Sequence, residues 1–342
     1  MNNSQIKGKK ILLFIPNFFS YEIYIRDKMI LLGANVDLFD VRSVKRPIEK
    51  GIIKRFPNAY KQRTAKYYDE ILLKVKNNIY DYILIVKADM TPNSFLVRLR
   101  EEYPNAKLCL YLWDSIRNVP GIEEKFKYFD IISSFDWDDC QKYSFIRFRP
   151  LFFIDAYRMQ RKESNFEYDI CFIGTGHTDR YKIIRQIDRL ARTDGLNCFW
   201  FLYYQSKLVY WLYYLTKKEY RERPQLPISF KKLNVNEIRN IINKTGIVVD
   251  IEASTQSGLT MRTIEMLGMN KKIITTNSKI KEYDFFNSSN ILVIDRANPS
   301  YDINFIKEPY VDIPENIYEK YSIDSWIYDV IGIGNHSNNT EI

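Results

Sequence analysis

Histidine is scarce in this chain of 342 residues: only His177 and His336 occur, and His336 lies in a polar C-terminal tail. Imidazole chemistry therefore rests on His177. Cysteine is scarce too. Cys109, Cys140, Cys171 and Cys198 are far apart and form no CxxC pair, which argues against a zinc site and a disulfide framework. They read as reduced thiols in a reducing compartment. No run of about 18 apolar residues occurs, so no membrane-spanning helix is expected. The first residues, MNNSQIKGKKILLFIPNFF, put basic side chains before an apolar run, but Pro16-Asn17 breaks it and no small-residue cleavage pattern follows. That pattern predicts a first β-strand in place of a signal peptide, and the chain is expected in the cytoplasm.

What is present suits two domains. The length exceeds that of one typical domain, and 46% apolar residues suffice for two cores. The net charge is +9, from 51 Lys and Arg against 42 Asp and Glu. A positive surface attracts nucleic acid, anionic lipid or phosphorylated small molecules, and charge alone does not choose among them. The basic residues are spread along the chain, and no RNA-binding signature accompanies them. Heavy use of Asn, Ile, Lys and Tyr fits an AT-rich bacterial genome.

Hydrophobic periodicity divides the chain into two cycles. In the first, strands are expected at residues 10–15, 35–39, 82–87, 107–112 and 130–133, and helices at 21–32, 66–77 and 92–103. In the second, strands are expected at 168–173, 198–202, 247–251, 272–275 and 291–294, and helices at 179–192, 235–243 and 259–267. Alternation of this kind implies parallel sheets with crossover helices. The expected fold class is α/β, with two Rossmann-like domains facing across a cleft. Residues 1–152 form the first and 166–315 the second; 153–167 read as a polar linker. Residues 316–330 predict a terminal helix, within a segment 316–332 that returns to the first domain.

Residues 250–277, DIEASTQSGLTMRTIEMLGMNKKIITTN, hold most of the chemistry. A strand ends, a small-residue loop follows, and a helix opens near Gly258. First-turn amides and the macrodipole make a helix N-terminus a site for anions. Ser257 is a candidate N-cap, and Gly258, Leu259 and Thr260 complete the entry. Arg262 stands in the first turns, where a guanidinium can meet a diphosphate bidentately. Glu265 is three residues on, on the same face, and its carboxylate can accept both vicinal hydroxyls of a ribose. The plainer alternative is a strand-loop-helix unit with an Arg–Glu surface pair.

The stretch SGLTMRTIEMLGMNKKIITTN resembles the donor-nucleotide element of glycosyltransferases of the GT-B fold, in the flavour of bacterial capsule, lipopolysaccharide and CgeB-like enzymes. Gly258, Glu265, Gly268 and the strand 272–275 carry the resemblance. It implies transfer of a sugar from a nucleotide-sugar donor to a carbohydrate or polyprenyl-linked acceptor, in surface polysaccharide biosynthesis. It also implies no metal and no cofactor, with Glu265 on the ribose. Retaining members commonly carry a second Glu eight residues earlier. That position here is Ser257, so both stereochemical outcomes stay open.

Three further elements bear on function. FIGTGHTDR, residues 172–180, follows a predicted strand. Asp179 occupies the place of the third glycine of a dinucleotide fingerprint, which disfavours NAD. Gly174, Thr175 and Arg180 remain candidates for the donor diphosphate, and His177 a candidate catalytic group; the alternative for His177 is a helix cap. Asp89 and Asp114 follow strands of the first domain, where ligands of open α/β sheets lie. Asp114, between Trp113 and Arg117, is the first candidate base and Asp89 the second, each set against the alternative of a helix-capping Asp. The acidic FDWDD, residues 135–139, reads as a solvated turn and not a metal site. Residues 199–223 are rich in aromatics with a basic end, equally suited to an interfacial helix on anionic lipid and to a core helix. Two other function classes stay in view: a nucleic-acid-binding protein, although no nucleic-acid partner is expected, and a non-catalytic two-domain protein that binds a small ligand.

Overall fold

Short apolar runs rich in β-branched residues build two parallel sheets. The structure, a computed structural model, describes residues 5–43, 60–159, 166–176, 179–252 and 258–333. The chain divides into two compact units, one of residues 1–150 with 323–341 and the other of residues 151–322.

In the first unit, β1 (Lys10–Phe14), β2 (Asn35–Phe39), β3 (Tyr82–Val86), β4 (Lys107–Leu112), β5 (Ile131–Ser134) and β6 (Arg147–Phe148) form a sheet in the order β2-β1-β3-β4-β5-β6. All its pairings are parallel. Alternate residues serve opposite faces. Leu12, Ile83, Ile85, Leu108 and Leu110 share a core with Tyr68 and Leu72 of α2 (Lys61–Val75), which follows α1 (Tyr21–Leu31), and with Phe95, Leu96 and Leu99 of α3 (Asn93–Glu102). A sheet covered on both faces reads as nearly continuous apolar strands, as here.

Asp136 and Asp139, expected on a solvated turn, are buried. Asp136 accepts from the Asp138 amide at 3.0 Å and caps α4 (Trp137–Lys142). Asp139 accepts from the Ile116 amide at 2.9 Å, and burial pushes its carboxyl up to about 6. A turn dense in acids reads as solvated by composition, but here backbone donors claim Asp136 as a cap and Asp139 as a tie to the Ile116 segment.

In the second unit, β7 (Tyr168–Thr175), β8 (Cys198–Tyr203), β9 (Ile228–Ser229), β10 (Thr245–Asp250), β11 (Lys272–Thr275) and β12 (Ile291–Val293) run in the order β12-β11-β10-β7-β8-β9. The first strand of the cycle lies beside the fourth, so the order reverses between β7 and β10. Such a switch point opens a crevice at the carboxyl ends of the strands. The helices are α5 (Arg180–Thr193), α6 (Lys207–Thr216), α7 (Val235–Asn243), α8 (Met261–Gly268), α9 (Ile303–Lys307) and α10 (Glu315–Lys320).

The polar linker does not materialise over its first part. Phe153 is buried, and its amide donates to the Tyr321 carbonyl at 2.9 Å within the second unit. Gly268, at the end of α8, lies on the Phe153 ring, where an added Cβ would sit 2.5 Å from Cγ. Residues 160–165 of the expected linker lie outside the described residues. The terminal helix is two helices. α10 belongs to the second unit, and α11 (Ile323–Val330) belongs to the first. Ile323, Trp326, Ile327 and Val330 of α11 are buried at helical spacing, and Trp326 meets Tyr111 edge-on at 5.0 Å. Asp329 pairs with the buried Arg149 at 2.8 Å, and Asp324 with Lys28 at 2.8 Å.

Candidate functional site

The crevice between β7 and β10 gathers most of the donor-site candidates of the second unit. Asp250, the last residue of β10, accepts hydroxyl protons from Thr260 at 2.6 Å and Thr263 at 2.5 Å. Thr260 in turn accepts from the Thr263 amide at 3.2 Å and is the N-cap of α8. The helix therefore opens at Met261, three residues after Gly258. The expected N-cap, Ser257, falls outside the described residues. Spacing alone placed the cap too early, because a run of small polar residues offers several caps. The nearby strand-end carboxylate selects Thr260. Removing that hydroxyl in Thr260→Val should cost about 1 kcal/mol, read by urea unfolding of the full chain. An unchanged midpoint would mean that Asp250 and Thr263 hold the entry without it.

Arg262 and Glu265 meet at 2.9 Å, on side chains 19% and 8% exposed. The pair is thus not the freely solvated surface pair of the plainer reading. It holds a carboxylate in a fixed orientation one turn into a helix whose first-turn amides have no intrahelical acceptor.

The loop after β7 is positioned by tyrosines. The Tyr220 hydroxyl donates to the Gly176 carbonyl at 3.0 Å, and Tyr204 donates to Tyr220 at 2.8 Å. A Cβ on Gly176 would lie 2.2 Å from Tyr204, and one on Gly174 would lie 2.6 Å from Phe172. Packing therefore accounts for both glycines before any ligand is invoked. Arg180 spans the switch point: its guanidinium donates to the Thr175 hydroxyl at 2.6 Å and to the Ile251 carbonyl at 2.9 Å. Burial lowers its pKa from the ordinary arginine value. Arg180 thus joins the end of β7 to the residue after β10. His177 lies outside the described residues.

Beside Arg180 is a network that sequence reasoning missed. Arg296, just after β12, binds Asp179 at 2.7 and 2.9 Å and Glu252 at 2.7 Å. Glu252 also accepts from the Thr276 hydroxyl at 2.5 Å. The hydrogen bond to Asp179 raises the Arg296 pKa further. These residues follow β7, β10, β11 and β12 in turn, so one arginine ties four strand ends together. The only trace in the sequence is that each polar residue stands shortly after an apolar strand.

In the first unit, Asp114 follows β4 and Asp89 follows β3. Asp114 pairs with Lys87 at 2.7 Å and accepts from Asn118 at 3.2 Å. Asp89 pairs with Arg42 at 3.2 Å. Neither is a cap for the next helix: α3 begins after Pro92, the 3-10 turn Ile116–Asn118 begins after Ser115, and neither of these N-caps makes a side-chain hydrogen bond. Lys125 donates to the Ala88 carbonyl at 2.6 Å, and burial pulls its ammonium down to about 8 against the opposing pull of Asp89. Composition gave no hint of this lysine. Phe19, Ser20 and Lys87 have φ of 49°, 65° and 71°. Left-handed backbone at non-glycine residues is costly and clusters where loops are held for function. Phe18 and Phe19 are 47% and 56% exposed, and Phe18 meets Trp113 at 6.3 Å.

Among the described residues no group of three or more His, Cys, Asp or Glu is arranged to hold a metal. A cavity of about 770 Å³ lies at the opposite, amino-terminal edge of the second sheet, lined by Arg158, Arg239, Lys271 and Tyr310. None of the expected site residues among the described residues borders it.

No protein-family model matches the chain, and no curated protein sequence matches it. Its fold does match solved structures. HepE of Anabaena, crystallised with UDP and glucose, aligns over 95% of this chain and 99% of its own, with 12% identity and a TM-score of 0.58. A UDP-N-acetylglucosamine 2-epimerase aligns over 96% and 98%, with 10% identity and a TM-score of 0.52. The UDP-GlcNAc 2-epimerase of Methanocaldococcus jannaschii, in complex with UDP-GlcNAc and UDP, aligns over 95% and 99%, with 10% identity and a TM-score of 0.50. The fold is that of GT-B glycosyltransferases and such epimerases, with two parallel six-stranded sheets.

Proposed function

We propose that the protein is a glycosyltransferase that takes a nucleotide sugar as donor and a carbohydrate or lipid-linked acceptor, in the synthesis of a surface polysaccharide. The observation that carries this reading is the Arg262–Glu265 pair on the helix that Asp250 anchors at the switch point of the second sheet. The fold shared with UDP-binding structures supports it.

The donor's ribose hydroxyls bond to the Glu265 carboxylate. Its diphosphate lies at the first turn of α8, where amides and Arg262 offset the charge that develops on the leaving group. Gly258, Leu259 and Thr260 bring the backbone close to the phosphates. The acceptor is held by the first unit, where Phe18, Phe19 and Trp113 offer rings for a sugar face. Asp114 removes the acceptor hydroxyl proton, with Asp89 and Lys125 setting the charge beside it. No metal or cofactor enters this scheme.

Titration of the full chain with UDP, GDP, CDP, ADP and a random single-stranded oligonucleotide tests the class. A nucleoside diphosphate should bind in the range of about 1 μM to 1 mM that is usual for enzyme substrates. Oligonucleotide binding with a steep salt dependence and no diphosphate binding would favour the nucleic-acid alternative. Sugar release from the bound nucleotide with no acceptor present, leaving an epimerised product, would favour the epimerase chemistry found on the same fold.

A further inference from the structure

α6 is apolar on two faces, and among the described residues only one of them is packed, in part, against the core. Tyr210, Tyr213 and Tyr214 pack against the second unit's core, with Tyr210 5.2 Å from Tyr204 and Tyr213 5.6 Å from Tyr220. On the other face stand Leu208, Trp211, Leu212 and Leu215, at i, i+3, i+4 and i+7. They are 79%, 55%, 56% and 67% exposed. No residue of this ten-residue helix is buried. A helix apolar all round is normally enclosed on all sides, and a contiguous exposed apolar stripe marks a docking surface.

The charge around the stripe says what docks. Residues 207–232 hold seven cations (Lys207, Lys217, Lys218, Arg221, Arg223, Lys231 and Lys232) against two carboxylates, Glu219 and Glu222. Glu222 is taken up by Arg185 and Arg189 at 3.2 and 2.6 Å. A second copy of this chain would bring the same cations face to face, so self-association is opposed by charge. An anionic bilayer complements both features: the leucines and tryptophan enter the acyl boundary, and the flanking lysines and arginines meet lipid phosphates. The geometry points to α6 as an interfacial anchor that seats the second unit on an anionic membrane leaflet through Leu208, Trp211, Leu212 and Leu215. This inference stands apart from the sugar-transfer reading and survives its failure. Where both hold, the acceptor is met at the membrane surface.

The test is co-sedimentation of the full chain with vesicles of phosphatidylcholine alone and of phosphatidylcholine mixed with phosphatidylglycerol. The wild-type chain should partition onto the mixed vesicles at low salt and be released at high salt. Trp211→Ser combined with Leu212→Ser should weaken partitioning at least about tenfold. Lys218→Glu with Arg221→Glu should remove most of the salt-sensitive part, about fivefold or more per charge. All four side chains are exposed, so far-ultraviolet circular dichroism and UDP titration should match wild type and exclude misfolding. Wild-type protein that ignores anionic vesicles, or a serine variant that binds them equally well, overturns the inference. So does a concentration-dependent dimer that the serine variant abolishes, which would make a second copy the occupant.

Discussion

Asp114→Asn should lower kcat by about 10²–10⁴, the usual worth of a positioned general base, while the Kd for the donor nucleotide changes by less than about twofold. The substitution keeps the shape of the side chain and a hydrogen-bond acceptor for Asn118, and it removes the charge that faces Lys87 at 2.7 Å. Asp114 is one-third exposed at the carboxyl end of β4, where a substrate hydroxyl can reach it. A base acts in the transition state and contributes little to ground-state binding, so kcat and Kd should separate. Single-turnover transfer and nucleotide titration on the same preparation measure the two. Equal losses in kcat and in thermal stability would reassign Asp114 as the partner that keeps Lys87 in its left-handed conformation. In that event Asp89→Asn, whose carboxylate is held by Arg42, becomes the variant expected to show the kinetic loss.

Glu265→Gln should weaken UDP binding about ten- to a hundredfold, equivalent to roughly 1.5–3 kcal/mol for hydrogen bonds to a charged group. Glutamine fills the same space, so its effect isolates charge from packing. Glu265→Ala should bind at least as poorly and should also unfold more readily, because it leaves Arg262 in a largely buried place without the carboxylate 2.9 Å away. Calorimetric titration with UDP and with free phosphate distinguishes the contributions. A ribose contact predicts loss for UDP and little change for phosphate. Equal binding of UDP by wild type and Glu265→Gln would remove the ribose role and leave the pair as a helix-stabilising contact.

Much of the architecture was legible from residues in a row. Strands such as ILLF at β1 and IIT at β11 are short, apolar and bounded by polar turns, so their period and length identify them without neighbours. The two-residue strands β6 and β9 were not found, because two residues hold no period. The pairing of Arg262 with Glu265 was legible because three-residue spacing on a helix sets two side chains on one face. Asp89 and Asp114 stood out as candidates because each comes two or three residues after an apolar strand. Arg296 was missed because it meets Glu252 and Asp179 only through strand order, across 44 and 117 residues of chain.

Local order along the chain thus settles most of the longer strands and helices, that the sheets are parallel, and where the helix after β10 begins to within a few residues. Those features depend on interactions a few residues long, which the chain carries wherever it is placed. Partnership across the sheet belongs to the tertiary structure. Asp250 chooses Thr260 over the other small polar residues as the cap, and Asp136 and Asp139 turn inward onto backbone donors. Phe172 crowds Gly174 near the end of β7, and Tyr204 crowds Gly176 just after it. The clearest case is α6, where tyrosines and leucines are equally apolar in sequence. Only the positions of Tyr204 and Tyr220 decide that Tyr210, Tyr213 and Tyr214 are partly covered while Leu208, Trp211, Leu212 and Leu215 face outward. Periodicity marks a helix as having apolar faces, but burial depends on what the rest of the chain packs against each one.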